Sequence, residues 1–264
     1  MNNAVAIALA KREWIRFIRQ PQRVVGSIGQ PLLFWLFLGS GFSPSFKPPG
    51  MGEIGYLEYF YPGALLMMLL FAGIFSCITV IEDRDQGFLQ SVLAAPVARF
   101  SIVAGKVGGA ALIALFQCLI LLVAAPMVGL APSLGGAALL LLGLILASVG
   151  FTALGFGIAW GMNSTSGFHA VMMVFLMPLW MLSGALFPTM GAPFWLQTVV
   201  AVNPISHALT LIRAPFYADA PTLLADGAYL GALSVALAWA TVCLAFSLWR
   251  VGRVEKGVSP VPGK

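Results

Sequence analysis

Apolar residues in this chain come in blocks long enough to cross a lipid bilayer, and polar residues gather in the gaps between them. A helix needs about 20 apolar residues to traverse the hydrocarbon core. Six segments reach that length: 24–43, 60–81, 107–130, 134–160, 167–187 and 227–249. A shorter apolar stretch, 193–202, is bounded by Pro193 and by Asn203-Pro204. Its length suits a re-entrant or interfacial helix rather than a span. Backbone groups at membrane depth must bond internally, so the spans are predicted to be helices. The pattern predicts an all-α integral membrane protein, one transmembrane domain over 1–264.

Two polar segments have helical patterning of their own. In 4–23, Arg12, Arg16, Arg19 and Arg23 project from one side at 100° per residue, and Ile7, Ala10, Trp14, Phe17 and Ile18 from the other. This predicts an interfacial helix with its aromatics, Trp14 and Phe17, in the acyl boundary and its arginines at anionic headgroups. In 82–98, Glu82 and Asp83 read as the acidic opening of a helix. Phe88, Leu89, Val92 and Leu93 then recur at helical spacing, and Pro96 stops the turn. An apolar face on a cytoplasmic helix needs covering, either by a soluble partner or by the membrane surface.

Composition changes the picture only by excluding alternatives. Hydrophobic residues make up 60% of the 264, charged residues 9%, and mean hydropathy is +0.95. Soluble domains carry roughly 25% charged residues. Between Val107 and Ile212 there is no Asp, Glu, Lys or Arg, which no water-facing surface allows. The formal charge of +5 is not a nucleic-acid signal, because the basic residues flank spans. Lys11 to Arg23, the 82–106 loop and the 250–264 tail hold nearly all of them, with Lys47 and Arg213 in the opposite loops. The positive-inside rule then puts both termini and the 82–106 loop in the cytoplasm, and 44–58 and 213–226 outside. Cys77, Cys118 and Cys243 are scattered in apolar runs and form neither a disulfide framework nor a metal spacing.

Three stretches carry a resemblance: Tyr59-Phe60-Tyr61-Pro62-Gly63; the loop Glu82 to Lys106 with Gly87, Leu89, Leu93, Pro96, Arg99 and Gly105-Lys106; and Leu182 to Pro188, followed by Pro193-Phe194-Trp195-Leu196, Asn203-Pro204 and Arg213. In this order and on this topology the chain resembles the permease subunits of bacterial type-2 ATP-binding-cassette exporters, including those for drugs, lipo-oligosaccharides and polysaccharides. The resemblance implies a multi-pass protein of the bacterial inner membrane. The 4–23 helix becomes a connecting helix, and 193–202 part of a re-entrant hairpin on the outer side. Glu82, Gly87, Phe88, Leu89, Val92, Leu93 and Pro96 become a coupling region that docks on a separate ATPase. That ATPase would hold Mg-ATP, and a second, identical permease subunit would complete the complex. Gln90, Ser91, Ala94 and Ala95 are uncharged where the family loop often carries charges.

The chain offers no nucleotide site of its own, because Phe100 stands where a phosphate loop ending in Gly105-Lys106 needs its first glycine. No catalytic residue and no cofactor is expected in it. An intramembrane hydrolase is the first competing class, with Ser183, His169 and His207 as its residues, but Met181 occupies a position where the usual motif has glycine. A secondary transporter would place an ionisable residue at mid-span, and none is there. Met173, Met177, Trp180 and Ser183 read either as an adaptable lining for a hydrophobic or lipid-linked substrate or as lipid-facing and packing residues.

Overall fold

The computed structural model describes residues 3–42, 54–189 and 191–254. Lys47 and most of the 44–58 loop, with Lys256 and Lys264 of the tail, lie outside the described residues. Twelve α-helices follow in order: α1 (Asn3–Ile18), α2 (Pro21–Phe42), α3 (Tyr56–Ser76), α4 (Ile78–Asp85), α5 (Phe88–Ala94), α6 (Arg99–Leu122), α7 (Leu134–Ala159), α8 (Thr165–Trp180), α9 (Phe194–Val202), α10 (Pro204–Arg213), α11 (Ala220–Ala225) and α12 (Gly227–Val254). No strand occurs among the described residues. Among the described residues, six helical stretches are long and apolar enough to cross a membrane.

The span boundaries move for local reasons. The predicted 4–23 element breaks after Ile18, because Pro21 starts a new helix at a position where its missing N–H costs nothing. The third span begins at Arg99 instead of 107: hydropathy stops at Lys106, but the helix continues through it. That helix ends at Leu122, and a single 3-10 turn, Ala125–Val128, forms around Pro126. α3 and α4 run almost continuously from Tyr56 to Asp85. At 1.5 Å per residue this is about 45 Å, so its lower end extends past the apolar core.

α3 is the axis of the bundle. Phe60, Tyr61 and every residue from Ala64 to Leu70 are fully buried, with α2, α6, α7, α8 and α10 around them. A helix apolar on all sides needs such surroundings. Small residues on α7 let it approach closely. A Cβ on Gly155 would lie 3.1 Å from Ile74 Cα of α3, and one on Gly150 3.2 Å from Ala240 Cα of α12. α9 and α10 are each too short to span and meet at a bend of 80°, the form expected of a re-entrant element.

Candidate functional site

At one end of the bundle α1 lies against α6 and α4. Leu9, Glu13 and Phe17, spaced i, i+4 and i+8, are its buried stripe. They pack over Gly105 and Gly109 of α6, where an added Cβ would sit 2.7 Å from the Ala6 carbonyl oxygen and 2.9 Å from Ala10 Cα. Those atoms are backbone and have no room to yield. Gly105→Leu is expected to displace α1, seen as rapid tryptic cleavage near the exposed Lys11 and Arg19; a wild-type digestion pattern would contradict this packing.

Close approach brings six charges together. Arg12 donates two hydrogen bonds to the Asp83 carboxylate, at 2.7 and 2.8 Å. Arg16 donates to Asp83 at 3.0 Å and to Glu82 at 2.5 Å. Lys106 donates to Glu13 at 2.5 Å and also to Asp83. Asp83 is fully buried, and Glu13 and Lys106 nearly so. Three cations face three carboxylates, so the cluster is neutral. The paired Asp83 hydrogen bonds raise the Arg12 pKa and hold its guanidinium charged.

This corrects two sequence expectations. Arg12 and Arg16 meet carboxylates of this chain rather than lipid headgroups. Phe17 is buried in protein rather than lying in the acyl boundary, while Trp14, partly exposed, packs edge-on to Phe116 at 5.0 Å. Arg19 remains exposed. Nor do Glu82 and Asp83 open a helix: they sit in the last turn of α4, where the macrodipole opposes negative charge and the three cations offset it. The overlooked signals were Glu13, an acidic residue inside a basic run, and Lys106, the last charge before the uncharged stretch.

The 82–98 segment folds back on its own chain. Gly87 caps α5 with φ of 75°, a left-handed turn natural to glycine. The Arg12 guanidinium lies over the Phe88 ring, 3.7 Å from its centroid. Leu89 is 2% exposed, and Val92 and Leu93 are half-buried against the main core. The bundle thus covers Leu89 and part of Phe88, Val92 and Leu93. Gln90, Ser91, Ala94, Ala95 and Pro96 form the exposed side. Arg84 reaches across to the Trp160 and Met162 carbonyls and to Asn163, tying the end of α7 to the same surface.

The proposed path residues do not converge in one recess. Met173 lines a cavity of about 430 Å³ between α2, α3 and α8, which also holds Gln30, Gln117, Glu82 and His169. Met177 and Trp180 line a more apolar cavity of about 610 Å³ further along the same groove. Ser183 lines a third recess. It belongs to a π-helical turn, Met181–Ala185, which points its hydroxyl to the Trp180 carbonyl at 2.6 Å. His207 Nε2 bonds the Ala201 carbonyl at 2.9 Å, and the His169 ring stacks on Phe75 at 4.4 Å. A serine–histidine pair for hydrolysis is thus not formed among these residues.

At the opposite end, the first and third signature stretches meet in space. The Tyr59 hydroxyl donates to the Gly184 carbonyl at 2.8 Å, and Tyr56 to the Leu186 carbonyl at 2.9 Å. Trp180 Nε1 donates to the Gly63 carbonyl at 3.1 Å, and Asn203 Nδ2 to the Leu179 carbonyl at 2.6 Å. Arg213 donates to the Gly184 carbonyl at 3.1 Å and stacks over Tyr59. Gly184, at φ of 84°, presents its carbonyl to both Tyr59 and Arg213.

Known proteins share this sequence pattern. The chain is 29% identical over 208 residues to the transport permease ycf38 of Cyanophora paradoxa, covering 78% of this chain and 71% of that protein. It is 28% identical over 167 residues to YbhR of Escherichia coli K12, described as a multidrug ABC transporter permease, covering 62% of this chain and 45% of that one. YhhJ of the same strain, an inner membrane transport permease, is 26% identical over 168 residues, covering 62% of this chain and 44% of YhhJ. The chain thus spans less than half the length of these two bacterial relatives. Residues 5–217 match the ABC-2 type transporter family, so the chain is a membrane transport permease of that family.

Proposed function

We propose that this chain is the membrane-spanning subunit of an exporter powered by a separate ATPase, and that it works as a homodimer in a bacterial inner membrane with both termini cytoplasmic. The observation that carries the reading is the union, in an ABC-2 family chain, of a neutral ionic cluster with a short helix, α5, whose exposed side is small and uncharged. A surface of that kind suits docking of a soluble motor. The groove between α2 and α8 supports a path for a hydrophobic, amphipathic or lipid-linked substrate, since its walls are mostly apolar and its charged group Glu82 is paired. Leu33 and Phe37 on α2 and Val174 and Phe175 on α8, the two helices that wall it, are exposed apolar residues on which a second copy would pack.

The purified chain is expected neither to bind nor to hydrolyse ATP, and hydrolysis is expected to appear only with an added ABC ATPase. Turnover by the chain alone, after contaminants are removed, would overturn this. Orientation has its own test. Cys77, Cys118 and Cys243 are buried and give little labelling background. Cysteines introduced at Lys47 and Asp219 should react with an impermeant maleimide from outside, and one at Arg253 should not. The reverse pattern refutes the assignment of sides.

A further inference from the structure

The recess that holds Ser183, about 320 Å³ in volume, lies between α10 and the Met181–Ala185 turn. Ser206, Thr210 and Arg213 fall on one face of α10 at i, i+4 and i+7, and all three line it. Two of its polar atoms are buried without a hydrogen-bond partner: Arg213 Nε and Ser206 Oγ, and Ser206 is only 7% exposed. The two terminal nitrogens of Arg213 each donate one hydrogen bond, to the Tyr59 hydroxyl and the Gly184 carbonyl, neither of which carries charge. Glu58 acts electrostatically on the nearby Tyr217, yet no carboxylate among the described residues is ion-paired with Arg213. At the other end of the bundle, by contrast, Arg12, Arg16 and Lys106 each have a carboxylate partner. A half-buried guanidinium with no carboxylate partner, whose buried Nε–H is unused in the same recess as an unused buried hydroxyl, is costly unless an anion completes it.

We propose that this recess is an anion-binding site, taking the phosphate or carboxylate headgroup of an amphiphile on Arg213 Nε and Ser206 Oγ. The neighbouring Thr189 and Tyr217 hydroxyls, which also line the recess, offer further donors. The site does not depend on the ATP-driven reading, and binding is measured without an ATPase.

The test uses the full chain, purified in neutral detergent and delipidated. Dioleoyl phosphatidylglycerol and dioleoyl phosphatidylcholine are offered in equal amounts, and retained lipid is counted by native mass spectrometry. The wild type should retain the anionic lipid in preference, by roughly tenfold, as expected for one or two charge-assisted hydrogen bonds. Arg213→Gln should abolish the preference and Ser206→Ala should lower it to roughly threefold, while Lys11→Gln, exposed at the other end, should leave it unchanged. Arg213 also braces the π turn, so Arg213→Gln could misfold; Ser206→Ala touches no protein partner and keeps the test decisive. Displacement of the lipid by millimolar glycerol phosphate would assign recognition to the headgroup alone. Failure of glycerol phosphate to compete would assign the ligand to the bilayer. Either result supports the site. Equal retention of the two lipids by the wild type, or unchanged preference in Ser206→Ala, overturns it.

Discussion

Asp83→Asn is expected to destabilise the purified chain by about 3–5 kcal/mol, the range seen when one partner of a buried ion pair is removed. Asparagine keeps the shape of the side chain and removes only its charge. Asp83 accepts from Arg12, Arg16 and Lys106 together, so its loss leaves a net positive cluster in a protein interior. α1 then loses its hold on α4, and Arg12 loses the partner that keeps it over Phe88. A large fall in melting temperature and faster cleavage at the α1–α2 junction should follow. The neutral double replacement Glu13→Gln with Lys106→Met should cost less than Lys106→Met alone, which strands the Glu13 carboxylate. A melting curve for Asp83→Asn that overlays the wild type would show that the cluster contributes little, and that α1 is held by its packing on Gly105 and Gly109.

The helices of this protein were legible because bilayer thickness fixes their length and the absence of charge marks them. The short 193–202 element was legible for the same reason, since Pro193 and Asn203-Pro204 leave too few residues to span. Periodicity failed where one side chain could satisfy more than one environment. Arg12 and Arg16 are as compatible with lipid phosphates as with Glu82 and Asp83, and nothing in local spacing tells the two apart. Their partners lie about 70 positions away in sequence, beyond the reach of any helical rule. Leu89, Val92 and Leu93 marked an inward-packing face, but a one-dimensional pattern does not name what it packs on. The signature stretches around Tyr59 and Gly184 could be spotted as a set, whereas their convergence on one carbonyl depends on a left-handed turn at Gly184.

That correction redirects the test of coupling to the exposed side of α5. Leu93 packs on the core, so Leu93→Asp both loses apolar burial, about 2 kcal/mol, and desolvates a charge. It should unseat the loop, lowering the melting temperature and export together, and therefore says little about docking. Ala94 is exposed, and a surface change there should alter stability by less than about 0.5 kcal/mol. If an ATPase closes over Gln90, Ser91, Ala94 and Ala95, Ala94→Lys forces a bulky, unpaired cation into that contact. The expected result is a loss of export and of permease-stimulated ATP hydrolysis by at least roughly tenfold, with an unchanged melting temperature, because an unpaired interfacial charge costs several kcal/mol. Ala98→Lys, exposed just before α6 and off the α5 helix, serves as the charge control and should be tolerated. Wild-type export by Ala94→Lys in an intact complex would remove α5 from the coupling interface. The Arg84-tethered segment after α7, at the same end of the bundle, would then be the next surface to test.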